Sequence, residues 1–200
     1  MVVNRILRSK YKEMPWKNGG GTTWQMRLEP PQADFPTAPF VWRLSSAVLT
    51  QDGPFSVFPG LRRLLTVVEG HGLLLSGRLL QPGEVLEFSG DTPVHAQLVD
   101  GPVRDVGVIA DPSRVDVLMQ LQQLPKGTHE FAANDHRLLV LHGAPQAGAI
   151  AVQTQGAGEF SLNYLDLIEL EVGEACVLRA AESTRVVVIR LRDVPTGDAE

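Results

Sequence analysis

The chain has 200 residues, 44% of them hydrophobic and 20% charged, with a net charge of −5 and a pI near 5.5. That is enough apolar material for one large domain or two small ones, each with a real core, and the acidic balance argues against a nucleic-acid partner, which a basic face would mark. No apolar run approaches the ~18 residues of a membrane span, the first residues lack a signal-peptide pattern, and the single Cys176 has no internal disulfide partner, so a cytoplasmic protein is expected.

Nineteen glycines and fourteen prolines indicate many turns and therefore many short strands. Residues 2–8 read as a first strand, and the polar stretch Lys10–Lys17, with Pro15, reads as a connection. It leads into Trp16-Lys17-Asn18-Gly19-Gly20-Gly21-Thr22-Thr23-Trp24. Three successive glycines are costly to order, which implies a positive φ or a close approach of the backbone. The tryptophans and Asn18 offer walls and polar handles for a small ligand; the competing reading is a sharp exposed loop between strands. A phosphate loop is excluded because Lys17 precedes the glycines, and a dinucleotide loop because Thr22–Leu28 alternates as a strand instead of opening a helix.

Prolines 30, 31, 36 and 39 punctuate a loop. Phe40–Thr50 then alternates, with Trp42, Leu44, Ser46 and Val48 on one face and Arg43, Ser45 and Ala47 on the other. That second face suits either a polar pocket floor or a half-exposed sheet. Asp-Gly-Pro and Pro-Gly turns surround Phe55 and Phe58, which read as anchors of a corner. Strands are expected over 61–69, 73–76, 78–81, 84–88, 94–99 and 103–110, separated by regular turn signals, as in an antiparallel sandwich or barrel. Residues 113–124 alternate and favour strand over helix, and the rhythm continues through 136–142, 148–153, 162–172, 174–178 and 185–192.

Two internal echoes stand out. Arg63–Gly70 is matched by Arg137–Gly143, and Gln81-Pro82-Gly83-Glu84-Val85-Leu86 by Glu171-Val172-Gly173-Glu174-Ala175-Cys176. A strand ending in glycine, followed by a Gly-Glu turn into another strand, is the rhythm of a jelly roll, and its repetition points to two cupin-like barrels in one chain.

Four motifs in order, Met14–Thr23, Phe40–Ser45, Asp52–Gly60 and Gly101–Asp105, resemble the HutD/Ves family over about residues 5–192. The resemblance implies an all-β bicupin of two antiparallel, jelly-roll-type barrels. These are expected at 1–115, carrying the glycine-rich loop, and at 116–194, with a loose tail at 195–200. It also implies an association with bacterial histidine utilisation, with no established catalytic activity, and binding of a pathway intermediate such as formylglutamate to limit or sense flux. The chain departs from the family pattern at Leu61-Arg62-Arg63, where an acidic residue commonly precedes the arginine, and at Gly107, where asparagine is common.

Metal-dependent cupins need two histidines one residue apart, with an acidic residue and a third histidine to follow. No His-x-His occurs here. His71 and His95 are the only pair in the first barrel, no cofactor is expected, and Cys176 reads as a small buried hydrophobe. Acid–base chemistry would fall to Asp105 or Glu69. A binding pocket is better supplied. Arg43 forks onto a carboxylate, Asn18 and Ser45 add polar contacts, and Trp16 and Trp42 add apolar walls. Gly19, Gly20, Gly21 and Thr22 form a backbone nest for an anion, and Arg63 and Arg104 are either further ligand charges or structural ion pairs. The favoured expectation is a non-catalytic protein that binds a small anionic metabolite in the first barrel. The alternatives are a cupin-type hydrolase or isomerase acting on a small acid, and a protein-interaction module or homodimeric scaffold.

Overall fold

The computed structural model describes residues 3–16, 19–154 and 158–195. In chain order the strands are β1 (Asn4–Ile6), β2 (Lys12–Pro15), β3 (Gly21–Glu29), β4 (Trp42–Leu49), β5 (Gly53–Pro54), β6 (Arg62–Glu69), β7 (Leu73–Leu75), β8 (Arg78–Leu80), β9 (Val85–Ser89), β10 (His95–Leu98) and β11 (Val103–Ala110). They continue with β12 (Val115–Leu124), β13 (Gly127–Ala132), β14 (Arg137–His142), β15 (Ile150–Thr154), β16 (Gly158–Leu162), β17 (Leu167–Leu170), β18 (Ala175–Ala180) and β19 (Thr184–Asp193). Apart from a single 3-10 turn at Arg8–Lys10, no helix occurs among the described residues, so the all-β expectation holds and the alternating stretch 113–124 is strand.

The chain divides into two compact units, Tyr11–Asp116 with Asp193–Glu200, and Met1–Lys10 with Val117–Arg192. The first ten residues therefore group with the second half of the chain, whereas the sequence had placed them in a domain 1–115. The cause is backbone pairing: β1 adds to β17 in antiparallel register, Asn4 opposite Glu169 and Ile6 opposite Leu167.

In the first unit a six-stranded sheet, β2-β3-β4-β11-β6-β9, is accompanied by a four-stranded sheet, β5-β10-β7-β8. Ala47, Leu49, Leu65, Val67 and Val103 of the larger sheet form one buried apolar cluster with Leu73, Leu75, Leu80 and Ala96 of the smaller. The second unit repeats the scheme with sheets β1-β17-β14-β19-β12 and β13-β18-β15-β16. Its cluster joins Leu138, Val140, Ile168, Leu170, Val186 and Val188 to Ile150, Val152, Leu178 and Cys176. Burial also pushes the Cys176 thiol up to about 12, so it stays an un-ionised core residue.

Two local expectations change. The polar stretch after Lys10 is strand as well as connection, because β2 pairs along β3 at the sheet edge, and Pro15 is tolerated there as the terminal residue of an edge strand. Residues 162–172 are not one strand: Asn163–Asp166 turn, with Leu165 at φ 64, and carry the chain from β16 in one sheet to β17 in the other.

The echoed turns have one geometry. The Glu84 N–H donates to the Gln81 carbonyl at 3.1 Å, and the Glu84 carboxylate accepts from the Gln81 N–H at 3.0 Å. The corresponding distances for Glu174 and Glu171 are both 2.9 Å. Gly83 and Gly173 sit at φ 102 and 87, a conformation closed to most side chains.

Trp16, Gly19 and Gly21 close the β2–β3 hairpin. The Trp16 N–H donates to the Gly21 carbonyl at 3.0 Å, and the Gly19 N–H to the Trp16 carbonyl at 3.1 Å. Both reasons anticipated for the glycines apply: Gly19 has φ 72, and a Cβ on Gly21 would lie 2.5 Å from the Val48 carbonyl oxygen and 3.2 Å from the Trp16 ring. Gly53, by contrast, faces open space. Gly21→Ala is expected to cost roughly 1–3 kcal/mol, the price of overpacking, and Gly53→Ala to stay within about 0.5 kcal/mol of the parent, as measured by urea unfolding.

Candidate functional site

The inner face of the six-stranded sheet is fixed by its ladder. Arg43 of β4 is opposite Ile109 of β11, and Ile109 is opposite Arg63 of β6. The next row is Ser45, Gly107 and Leu65, and the row beyond it Ala47, Asp105 and Val67. Paired residues point to the same side of a sheet, so two arginines and an aspartate share one face, with a glycine between them. These side chains line a cavity of about 460 Å³, walled also by Met14, Trp16, Phe35, Phe55 and Phe58.

Arg43 is only 5% exposed. Its Nε donates to Gln25 Oε1 at 3.0 Å, a terminal nitrogen approaches the Met14 sulfur at 3.5 Å, and the guanidinium lies 3.9 Å from the centre of the Phe35 ring. A bulge between Gln25 and Arg27 makes the first of these contacts possible, since Gln25 is opposite Ser45 whereas Arg27 is opposite Leu44. Arg63 donates to the Ser56 carbonyl at 3.0 Å and lies 5.0, 5.5 and 4.9 Å from the rings of Phe55, Phe58 and Phe88. Neither guanidinium forms an ion pair with a carboxylate among the described residues. Burial lowers Arg43 to about 10, with the charge of Arg63 adding to the effect. It lowers Arg63 to about 10 as well, against the pull of Asp105. Both remain cationic at neutral pH.

Asp105 is 5% exposed, and its Oδ1 accepts the Ala47 N–H at 3.0 Å. Burial pushes its carboxyl up to about 7, opposed by that hydrogen bond and by the charges of Arg63 and Arg104. A second bulge, between Arg104 and Asp105, sits beside it, and bulges commonly re-aim side chains at sites of this kind.

Of the residues singled out in the sequence, Trp16, Arg43, Ser45 and Arg63 line the cavity. Trp16 is braced by its indole N–H, which donates to Thr23 Oγ1 at 2.8 Å. Asn18 and Lys17 lie outside the described residues. Trp42 does not wall the cavity: it follows the alternation of β4 and is buried on the face opposite Arg43. Thr22 is likewise displaced by Thr23, the neighbour on the inward face. Gly19, Gly20 and Gly21 do not line the cavity, and the Gly19 N–H is spent on hairpin closure instead of an anion. Arg104 resolves as a structural ion pair, with Nε 3.2 Å from Glu69 Oε2 and its guanidinium 4.9 Å from the Trp24 ring. His71 is exposed, with Nδ1 3.1 Å from the Asp100 carbonyl oxygen, and His95 is exposed on β10. No cluster of three or more His, Cys, Asp or Glu with metal-binding geometry occurs among the described residues, and no helix there is long and apolar enough to cross a membrane.

The site also contains residues the sequence reading passed over. Phe35 sits in the proline-punctuated loop and carries no periodic signal. Gln25 and Met14 act through a bulge and an edge strand. Asp105 is already a candidate in the sequence, for acid–base chemistry, and the ladder, which sends it and Arg104 to opposite faces, places it at the cavity.

The fold and cavity define a cupin-like β protein with a cationic pocket. The chain belongs to the HutD family, whose family model, described as HutD, matches residues 8–188. An uncharacterised 21.2 kDa protein of the hutC 3′ region of Pseudomonas putida is 38% identical over 122 residues, 58% of this chain and 63% of that protein, so less than two thirds of that relative is spanned. Protein Ves of Citrobacter koseri is 30% identical over 156 residues, 73% of this chain and 78% of its own. The structure of HutD from Pseudomonas fluorescens SBW25, in a formate condition, has a TM-score of 0.75 at 28% identity and covers 97% of this chain and 100% of its own. A Cupin 2 conserved barrel domain protein of Leptotrichia buccalis, at 11% identity and a TM-score of 0.55 over 90% of this chain and 96% of its own, shares the fold alone.

Asp105 links stability to pH in a definite direction. An unfolded aspartate titrates near about 3.9, below the folded value of about 7, so between these values the native state binds the extra proton. Stability is then full below about pH 4, falls as pH rises towards 7 by at most about 1.4 kcal/mol per pH unit, and stays lowered above. Thermal unfolding from pH 4 to 8 is expected to show this decline in the parent and a flatter profile in Asp105→Asn.

Proposed function

We propose that the protein is a non-catalytic binder of a small carboxylate metabolite, of the formylglutamate type, held in the cavity of the first unit and serving a regulatory role in histidine utilisation. The observation that carries this reading is the pair of guanidiniums, Arg43 buried and Arg63 half-buried, that face a 460 Å³ cavity without a salt-bridging carboxylate among the described residues. Buried cations are ordinarily matched by anions. An arginine fork bound to a ligand carboxylate supplies that match in the strongest geometry available to a side chain. The aromatic walls at Trp16, Phe35, Phe55 and Phe58 suit the methylene portion of such a molecule. Family membership and the relative from the hutC 3′ region support the pathway assignment. The two units are read as two cupin-like barrels, a bicupin, supported by the recurrence of one turn geometry at Glu84 and Glu174.

Isothermal titration calorimetry with N-formyl-L-glutamate and urocanate tests the reading. Saturable binding of a carboxylate is expected, and flat heats for every acid with folded protein would sink it. Arg43→Ala removes a charged hydrogen-bonding partner and is expected to cost about 1.5–3 kcal/mol of binding. Arg104→Ala, which removes a charge paired with Glu69 outside the cavity, is expected to leave affinity within about threefold (~0.6 kcal/mol, by the affinity arithmetic).

A further inference from the structure

We propose that Asp105 is a specificity-determining residue of the cavity, donating as a carboxylic acid from Oδ2 to a carbonyl or carboxylate oxygen of a ligand whose anionic end rests on Arg43 and Arg63. The inference rests on the binding function proposed above and adds a second contact point and a proton to it.

Asp105 lines the cavity on the same face as the two arginines, separated from their row by the row of Ser45, Gly107 and Leu65. Gly107 has no side chain, so the floor between the cationic end and the carboxyl is open. A Cβ there would already stand 3.0 Å from the Leu65 side chain. The backbone around Asp105 is anchored, because Ser46 Oγ donates to the Asp105 carbonyl at 2.7 Å. The carboxyl is oriented by one oxygen only: Oδ1 takes the Ala47 N–H, and Oδ2 makes no hydrogen bond to any described residue. Asp105 lines the cavity, so a carboxyl oxygen with no protein partner there is open to one from a ligand.

The charges around it set the direction of the effect. Arg63 faces Asp105 from β6 and Arg43 lies on the same face of β4. Arg104, next to it on β11, is occupied by Glu69 of β6 at 3.2 Å. Burial disfavours the ionised carboxylate, and the Ala47 N–H, Arg63 and Arg104 favour it, which holds the group at about 7. A ligand anion on the arginines cancels part of that positive field and adds a negative neighbour, so the protonated form gains. Binding above pH 7 then takes one proton from solvent onto Oδ2, and that proton is shared with the ligand oxygen. A neutral carboxylic acid held in this way is an effective hydrogen-bond donor. Ligands with an acceptor at this second point are selected over those ending in a methyl or a cation, which would leave the acid unpaired.

The test is calorimetry with N-formyl-L-glutamate at pH 6, 7, 8 and 8.5, the titrations from pH 7 upward each in HEPES and in Tris, whose ionisation heats differ. With the parent protein the expected results are uptake approaching one proton per ligand at pH 8 and an affinity that weakens by up to about tenfold per pH unit above 7. Asp105→Asn keeps an N–H donor without a titrating group. It is expected to bind with no buffer dependence and with affinity flat from pH 6 to 8.5, while Asp105→Ala weakens binding at pH 6, where the parent carboxyl is protonated. Binding by the parent with no proton uptake across this range overturns the inference and leaves the proposed function standing, as does an unchanged pH profile in Asp105→Asn. No binding at any pH overturns both. The buffer comparison uses the parent alone, so the inference is decided even where a variant does not fold.

Discussion

A buried guanidinium, Arg43, and a half-buried one, Arg63, held on one sheet face without a salt-bridging carboxylate are the constraint on which the first unit turns. Such a charge loses hydration worth many kcal/mol, and the interior must return part of it. Here the return comes from weaker partners. Arg43 has an amide oxygen, a thioether and one aromatic face, and Arg63 has a single carbonyl and three rings. Aromatic faces attract a desolvated cation, but they do not neutralise it. The second unit supplies the contrast. Arg137, the echo of Arg63, has its Nε 3.2 Å from Glu171, so the same strand position carries a closed ion pair in one unit and an open charge in the other. The scaffold recurs, and the electrostatics do not.

The open charge depends on details of pairing rather than on composition. The β4–β11–β6 register places Arg43 and Arg63 in one row, the bulge after Gln25 brings an acceptor to Arg43, and the bulge at Arg104 separates an outward ion pair from an inward acid. Gly107 leaves the space between them clear. A one-residue slip in any of these strands would carry the polar set to the other face. In this sense the cavity and the fold are one problem.

Much of this was legible in the sequence. Period-two alternation and regular Gly/Pro punctuation are direct consequences of strand geometry, and they located nearly every strand and placed Arg43, Ser45 and Ala47 on one face. The same alternation should have excluded Trp42 as a cavity wall, since adjacent strand residues point apart. Other features left no trace. A bulge inserts one residue without a compositional mark, so the separation of Gln25 from Arg27 is invisible before the ladder is known. Phe35 is recruited from a loop, where no periodicity constrains it. The burial of Asp105 depends on which strands flank β11, a long-range fact that no local pattern encodes. The pairing of β1 is of the same kind, because Asn4 meets its partner Glu169 with 165 residues of sequence separation.

That pairing has a consequence for how the molecule comes into being. Translation runs from the N-terminus, so β1 is made long before its partner strand β17 emerges. Asn4 must wait for Glu169, Arg5 for Asp166, and the Arg8 N–H for the same carboxylate, which it meets at 2.9 Å. Residues 11–116 carry their own sheets and core, and they are complete on the ribosome well before this happens. The segment 11–116 that bears the cavity is therefore free to form co-translationally, while the other unit can add its β1 strand only once β17 is available. The first strand of the chain is among the last to be built in.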